Sequence, residues 1–134
     1  MKRFLLILSL FFVATVPLLA QEEDDDANEK IQDKMSEYIQ KRLDISKDEA
    51  AKFSPVFVRY FKEWRQTLRD NKNDRLIMQQ KIVDLRLKYR PEFRGILGER
   101  RGDLVYRQQD LFIKELRDLR RERLLNNPRP QRRQ

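Results

Sequence analysis

From Ala27 almost to the carboxyl terminus, large apolar side chains recur every three or four residues, the spacing that puts them on one side of an α-helix. Ile31, Met35, Ile39 and Leu43 follow at four-residue steps with Tyr38 beside them, which predicts a first helix. Ser46 and Glu49 then form a capping box, in which hydroxyl and carboxylate each accept from the other's exposed backbone N–H, so a second helix starts there. Behind the cap, Ala50, Phe53, Phe57, Phe61, Trp64 and Leu68 share a single stripe, read as core rather than as a ligand box. Pro55 lies inside this helix, where its missing donor and bulky ring predict a kink.

Asn71 to Asp74 supplies a break and a cap. Met78, Ile82, Leu85 and Tyr89 then mark a third helix from about Asp74 to Arg90, flanked by Leu76, Val83 and Leu87. Pro91 is expected to end or bend it, and Gly95, Gly98 and Gly102 read as the hinge that follows. Leu104, Val105, Leu111, Phe112, Leu116 and Leu119 predict a last helix running to about Leu125. With no alternating β-branched run, the fold class is all-α, with about four helices, two of them long and one Pro-kinked.

The amino terminus breaks this pattern. Lys2 and Arg3 precede an apolar run from Phe4 to Val16, and Pro17-Leu18-Leu19-Ala20 ends on a small residue, the layout of a cleavable signal peptide. The run is shorter than the roughly 20 residues a spanning helix needs, so a retained anchor is the weaker reading. Residues 1–20 are therefore expected to be removed after Ala20 and the protein to work in the periplasm. Cleavage takes two of the 30 Lys and Arg and none of the 22 Asp and Glu, leaving 28 basic and 22 acidic side chains, a net charge of +6. Residues 21–29, with Glu22, Glu23, Asp24, Asp25 and Asp26 in succession, read as a solvated, unstructured leader. Residues 30–125 make one helical domain, and the Pro- and Arg-rich 126–134 an unstructured basic tail. The absence of cysteine excludes a lipid anchor and a disulfide, so stability must come from helix packing, including packing between subunits.

Composition also limits the chemistry. Without histidine or cysteine the chain lacks the usual neutral-pH base, thiolate nucleophile and zinc ligands. Ser36, Ser46 and Ser54 lie in no nucleophile-elbow context, and the glycines lack the ending of a phosphate loop. Consecutive acids without a glycine turn do not make a calcium loop. The chain reads as a non-enzyme with no cofactor and no metal. Its basic residues recur along one side of helix two, at Arg59, Lys62, Arg65 and Arg69, and again at Arg107, Lys114, Arg117 and Arg121. Many such charges belong to a solvated face laced with pairs such as Glu63 with Arg59. Export argues against nucleic acid as the partner and leaves acidic polypeptides or anionic headgroups.

Leu43-Asp44-Ile45-Ser46-Lys47-Asp48-Glu49, opening a Phe- and Tyr-rich helix behind a signal peptide and a short first helix, resembles the periplasmic Spy/CpxP group. Its hallmark is a Leu-Thr-x-x-Gln (LTxxQ) helix start that occurs twice. Ile45, Ser46 and Glu49 stand for its Leu, Thr and Gln and keep the cap, whereas Leu97-Gly98-Glu99-Arg100-Arg101, where a second copy belongs, matches poorly. Through Ala50-Ala51-Lys52-Phe53-Ser54-Pro55-Val56-Phe57, the stretch from about Lys30 to Arg123 is similar to the branch described as sensors of ECF-type sigma factors. The resemblance implies a curved antiparallel helical cradle, commonly a homodimer, that binds unfolded proteins or restrains an envelope-stress sensor.

Two functions are expected from this. One is an ATP-independent chaperone for unfolded or acidic clients, contacted by Arg59, Lys62, Arg65 and Arg69 with Val58 and Tyr60, which are read as lying off the Phe53–Phe57–Phe61 stripe. The other is an adaptor on a membrane stress sensor. A third, weaker contact is that of the basic end, Arg117 to Arg133, with an anionic membrane surface.

Overall fold

The computed structural model describes residues 18–127. Most of the expected signal peptide, residues 1–17, and most of the expected basic tail, residues 128–134, lie outside the described residues. Four helices make up the described chain: α1 (Leu18–Arg42), α2 (Lys47–Asp70), α3 (Arg75–Leu97) and α4 (Glu99–Asn126). No strand occurs among the described residues, so the fold is all-α. The four helices are of similar length, 25, 24, 23 and 28 residues.

The chain divides into two compact units, residues 1–31 and 32–134. Of the first, residues 18–31 are described, and they are helical. The acidic stretch within 21–29 is thus part of α1 and not an unstructured leader. Once a helix is nucleated, each further residue adds a hydrogen bond, and Gln21, Glu22, Glu23 and Ala27 are good helix formers.

In the second unit α1 ends at a Schellman turn. Asp44 takes a positive φ of 52°, its N–H donates to Lys41 O, and Ile45 N–H donates to Gln40 O. Ser46 then caps α2: its hydroxyl accepts from Glu49 N–H and its own N–H donates to the Glu49 carboxylate. A second tight turn separates α2 from α3, where the Asp74 carboxylate accepts from Ile77 N–H at 3.1 Å.

α3 does not stop at Pro91 but continues to Leu97. Leu85, Tyr89, Phe93 and Leu97 keep their four-residue spacing on the buried side, while Pro91 is exposed, so packing holds the helix and water can reach the interrupted backbone. Both α2 and α3 therefore carry an internal proline, Pro55 and Pro91. The chain breaks at Gly98, with φ 85°; Gly95 belongs to α3 and Gly102 to α4.

Contacts between these helices fix their directions. Phe53 packs on Phe93, and Tyr60 on both Tyr89 and Phe93, so α2 and α3 run antiparallel. Arg86 reaches Asp110 while Arg94 reaches Asp103, which makes α3 and α4 antiparallel as well. From α1, Tyr38 donates to Glu115 and Arg42 to Gln108, again an antiparallel pairing. Met35, Ile39, Phe53, Phe57, Tyr60, Phe61, Phe93 and Val105 are at most 2% exposed and form the centre of the core. Phe112 is buried nearby, but Leu116 and Leu119, expected to continue that stripe, are 39% and 52% exposed, so α4 outruns its packing partners.

Gly102 is where α3 and α4 come closest. A Cβ at this position would lie 2.7 Å from both N and Cα of Arg94, inside any tolerable contact with backbone. At Gly95 a Cβ would meet nothing within 4 Å. Gly102→Ala is expected to destabilise the fold by about 1–3 kcal/mol through overpacking. Gly95→Ala is expected to stabilise it by about 0.5–1 kcal/mol through helix propensity. Urea-unfolding midpoints of the two variants check both signs.

Candidate functional site

The charged side chains fall into two groups, separated by what they touch. One group ties the helices together. Arg59 Nη2 pairs with Glu92 at 2.8 Å and Lys88 Nζ with Glu63 at 3.0 Å, linking α2 to α3. Arg86 pairs with Asp110 at 2.7 Å, and Arg90 and Arg94 share Asp103, linking α3 to α4. Arg101 chelates Glu49 and donates to the carbonyls of Leu43 and Asp44, which fastens the start of α4 to the α1–α2 turn.

Asp103, Glu49 and Glu63 titrate accordingly. Hydrogen bonds from Arg94 hold the Asp103 carboxyl down at about 2. Arg101 lowers Glu49, and the Tyr89 hydroxyl lowers Glu63 by donating to it. Desolvation, with that bond to Glu63, pushes Tyr89 up to about 12.

Beneath the pairs lies a buried polar node. Tyr60 donates its hydroxyl to Gln109 Oε1, which also accepts from Arg86 Nη2 at 3.1 Å. Burial raises the pKa of Tyr60, so it stays a donor. Four rings surround it, those of Phe57, Tyr89, Phe93 and Tyr106, at centroid distances of 5.5–6.0 Å.

The second group stands on the outward side of α2. Lys47, Val58, Lys62, Arg65 and Arg69 are separated by eleven, four, three and four residues, so they share one stripe, turned roughly 100–160° from the Phe53–Phe57–Trp64 side. Lys47, Lys62 and Arg69 are exposed, Val58 and Arg65 half-exposed. The four acids of α2, Asp48, Glu49, Glu63 and Asp70, fall outside this stripe. Among the described residues, Lys47, Lys62 and Arg69 pair with no carboxylate; Arg69 donates to Gln66 instead. At 1.5 Å per residue the stripe is about 33 Å long.

The expected contact residues thus divide. Val58, Lys62, Arg65 and Arg69 share the outward stripe. Arg59 lies to one side of it, engaged with Glu92. Tyr60 is fully buried and is no surface contact: it stands seven residues from Phe53, which on a helix is two turns less about 20°, at the centre of the core stripe. Phe53, Phe57, Phe61 and Trp64 are core, but Leu68 is half-exposed, and Val56 and Tyr60 complete the buried side. In the hallmark segment Ile45 is half-buried, while Ser46 and Glu49 are engaged in the cap and in the bond to Arg101.

Lys47, Arg101 and the Tyr60–Gln109–Arg86 node escaped the sequence reading. Lys47 was legible as the eleventh residue before Val58. Gln109 was legible only as a polar residue spaced four from Val105 and three from Phe112 on the buried side of α4.

No family model, no curated protein and no solved structure matches this chain.

The two groups of cations should behave differently when removed. Lys62→Ala and Arg69→Ala are expected to change stability by no more than about 0.5 kcal/mol, as substitutions of exposed side chains without carboxylate partners do. Tyr60→Ala is expected to cost about 3–5 kcal/mol, the scale of a large aromatic deletion. Chemical denaturation followed by circular dichroism checks the contrast.

Proposed function

We propose that this chain is an exported, non-enzymatic periplasmic protein of the Spy/CpxP type that holds unfolded, acidic polypeptides without nucleotide. The observation that carries the reading is the outward stripe of α2, where cations line up over several turns with no acid among them. Structural arginines elsewhere take carboxylate partners, as a folded protein requires of partly buried charge. On the stripe Lys47, Lys62 and Arg69 instead pair with no carboxylate among the described residues, and such cations attract anions over a Debye length, about 8 Å at physiological ionic strength.

A long row of charges suits an extended chain better than a compact ligand. Val58, half-exposed within the row, adds a small apolar contact of the kind that holds an unfolded segment weakly. Among the described residues there is no group of three or more acids, histidines or cysteines placed to hold a metal ion, and no helix is long and apolar enough to cross a membrane. Export itself rests on the arrangement of Lys2 to Ala20. The exposed end of α4, with Leu116, Leu119, Arg117 and Arg121, supports a weak contact with anionic membrane. Its uncovered leucines also favour a homodimer, since a second copy would bury them.

An adaptor on an envelope-stress sensor would use the same α2 surface. The two roles differ in the partner, an unfolded client in one and a folded sensor domain in the other.

Mature protein beginning at Gln21, in molar excess over a denatured acidic test protein, is expected to slow its aggregation, with the effect falling as salt rises. Lys62→Glu with Arg69→Glu should lose most of that suppression while keeping wild-type helicity. If the wild type does not suppress aggregation at low salt, the chaperone reading is wrong and the adaptor reading takes its place.

A further inference from the structure

A hollow between α3 and α4 lies apart from the α2 stripe. Val83 and Leu87 of α3 and Tyr106 of α4 give it an apolar floor; Arg86, Arg90 and Asp103 stand at its edges, and its volume is about 260 Å³. That is more than the roughly 150 Å³ cavity that admits a benzene. It is less than the roughly 300 Å³ at which sites for whole small molecules begin. One large side chain fits.

The floor continues along α3. Leu76, Val83 and Leu87 are 77%, 55% and 54% exposed and are spaced by seven and four residues, so they form one row away from the buried Leu85–Tyr89–Phe93 side. Val83 and Leu87 stand about 6 Å apart along the helix. Alternate residues of an extended chain stand roughly 6.6 Å apart, so two of its side chains can meet this row together.

Charge at the edge is unbalanced. Asp103 serves two guanidinium groups. Arg94 holds it through two bonds of 2.7 Å, whereas Arg90 has only contacts of 3.2 and 3.5 Å, with its side chain 42% exposed. Arg86 is committed elsewhere, to Asp110, Gln109 and the face of the Tyr106 ring. A carboxylate arriving at the hollow would meet in Arg90 a guanidinium whose present partner is held more closely by another arginine.

We propose that the α3–α4 hollow is a second binding site, which takes a large apolar side chain of an extended polypeptide whose neighbouring carboxylate pairs with Arg90. This deepens the reading of the protein as a holder of unfolded acidic chains and rests on that reading for its ligand. The α2 stripe attracts such a chain over distance; the hollow holds it at contact, by apolar burial that salt does not screen.

Fluorescence anisotropy of a labelled peptide with Phe and Leu at alternate positions beside Asp tests the site, with the Asp→Asn peptide as its control. Val83→Glu places a like charge on the floor and should weaken binding of the Asp peptide at least tenfold. Wild type should prefer the Asp peptide over the Asn peptide several-fold, and Arg90→Gln should bind the two equally. At high salt, where attraction by the α2 stripe is screened, wild type should still bind the peptide. Unchanged binding by Val83→Glu overturns the proposal, as does an Asp preference that survives in Arg90→Gln. Because the peptide assay and aggregation suppression are separate readouts, a protein that binds the peptide but suppresses no aggregation would retain the hollow and lose the chaperone role.

Discussion

Tyr60 is the point at which three helices of the second unit are held to one another. Its ring packs among aromatic side chains of α2, α3 and α4, and its hydroxyl reaches Gln109 on α4, to which Arg86 of α3 also donates. Aromatic packing alone is tolerant: a helix can slide by a turn and find another ring. A buried hydroxyl and amide oxygen are less forgiving, because each left without its partner costs about 1–3 kcal/mol. The node thus fixes the register of α4 against α2 and α3, and Gly102 lets α4 approach the Arg94 backbone closely enough for the node to close.

Given that register, the charges sort themselves. Where α3 faces α2 and α4, acids and arginines meet at the helix edges and are used in pairs. Arg101 does the same between α4 and the start of α2, since a single guanidinium serves Glu49 and the carbonyls of the α1–α2 turn. Along the row of Lys47, Val58, Lys62 and Arg69 on α2 no acid falls at helical spacing, and there Lys47, Lys62 and Arg69 pair with no carboxylate among the described residues. The basic stripe follows from which side of α2 the Tyr60 node turns inward.

Much of the architecture was legible in the sequence because it rests on local chemistry. The Ser46–Glu49 box, the four-residue steps of Ile31 to Leu43 and the aromatic stripe of α2 each act within one helix. What was not legible depends on neighbours. Pro91 looks like a terminator until Tyr89 and Phe93 are seen packed against α2 on either side of it. The acidic residues near the amino terminus look unstructured until they continue the helix of Met35 and Ile39. Tyr60 was assigned to the surface because it was read as lying off the Phe53–Phe57–Phe61 stripe, although its seven-residue spacing from Phe53 already placed it in the core. The partners of Arg86, Arg94 and Arg101 lie on other helices, so nothing in their local sequence separates them from Lys62 or Arg69.

The central claim is that the outward side of α2 receives the partner. Amine acetylation of the protein beginning at Gln21, with and without a denatured acidic client and read by mass spectrometry at each lysine, tests it most directly. The account predicts that the client protects Lys47 and Lys62 while Lys34 of α1 reacts as before. Equal reactivity of Lys47 and Lys62 with and without bound client would contradict it.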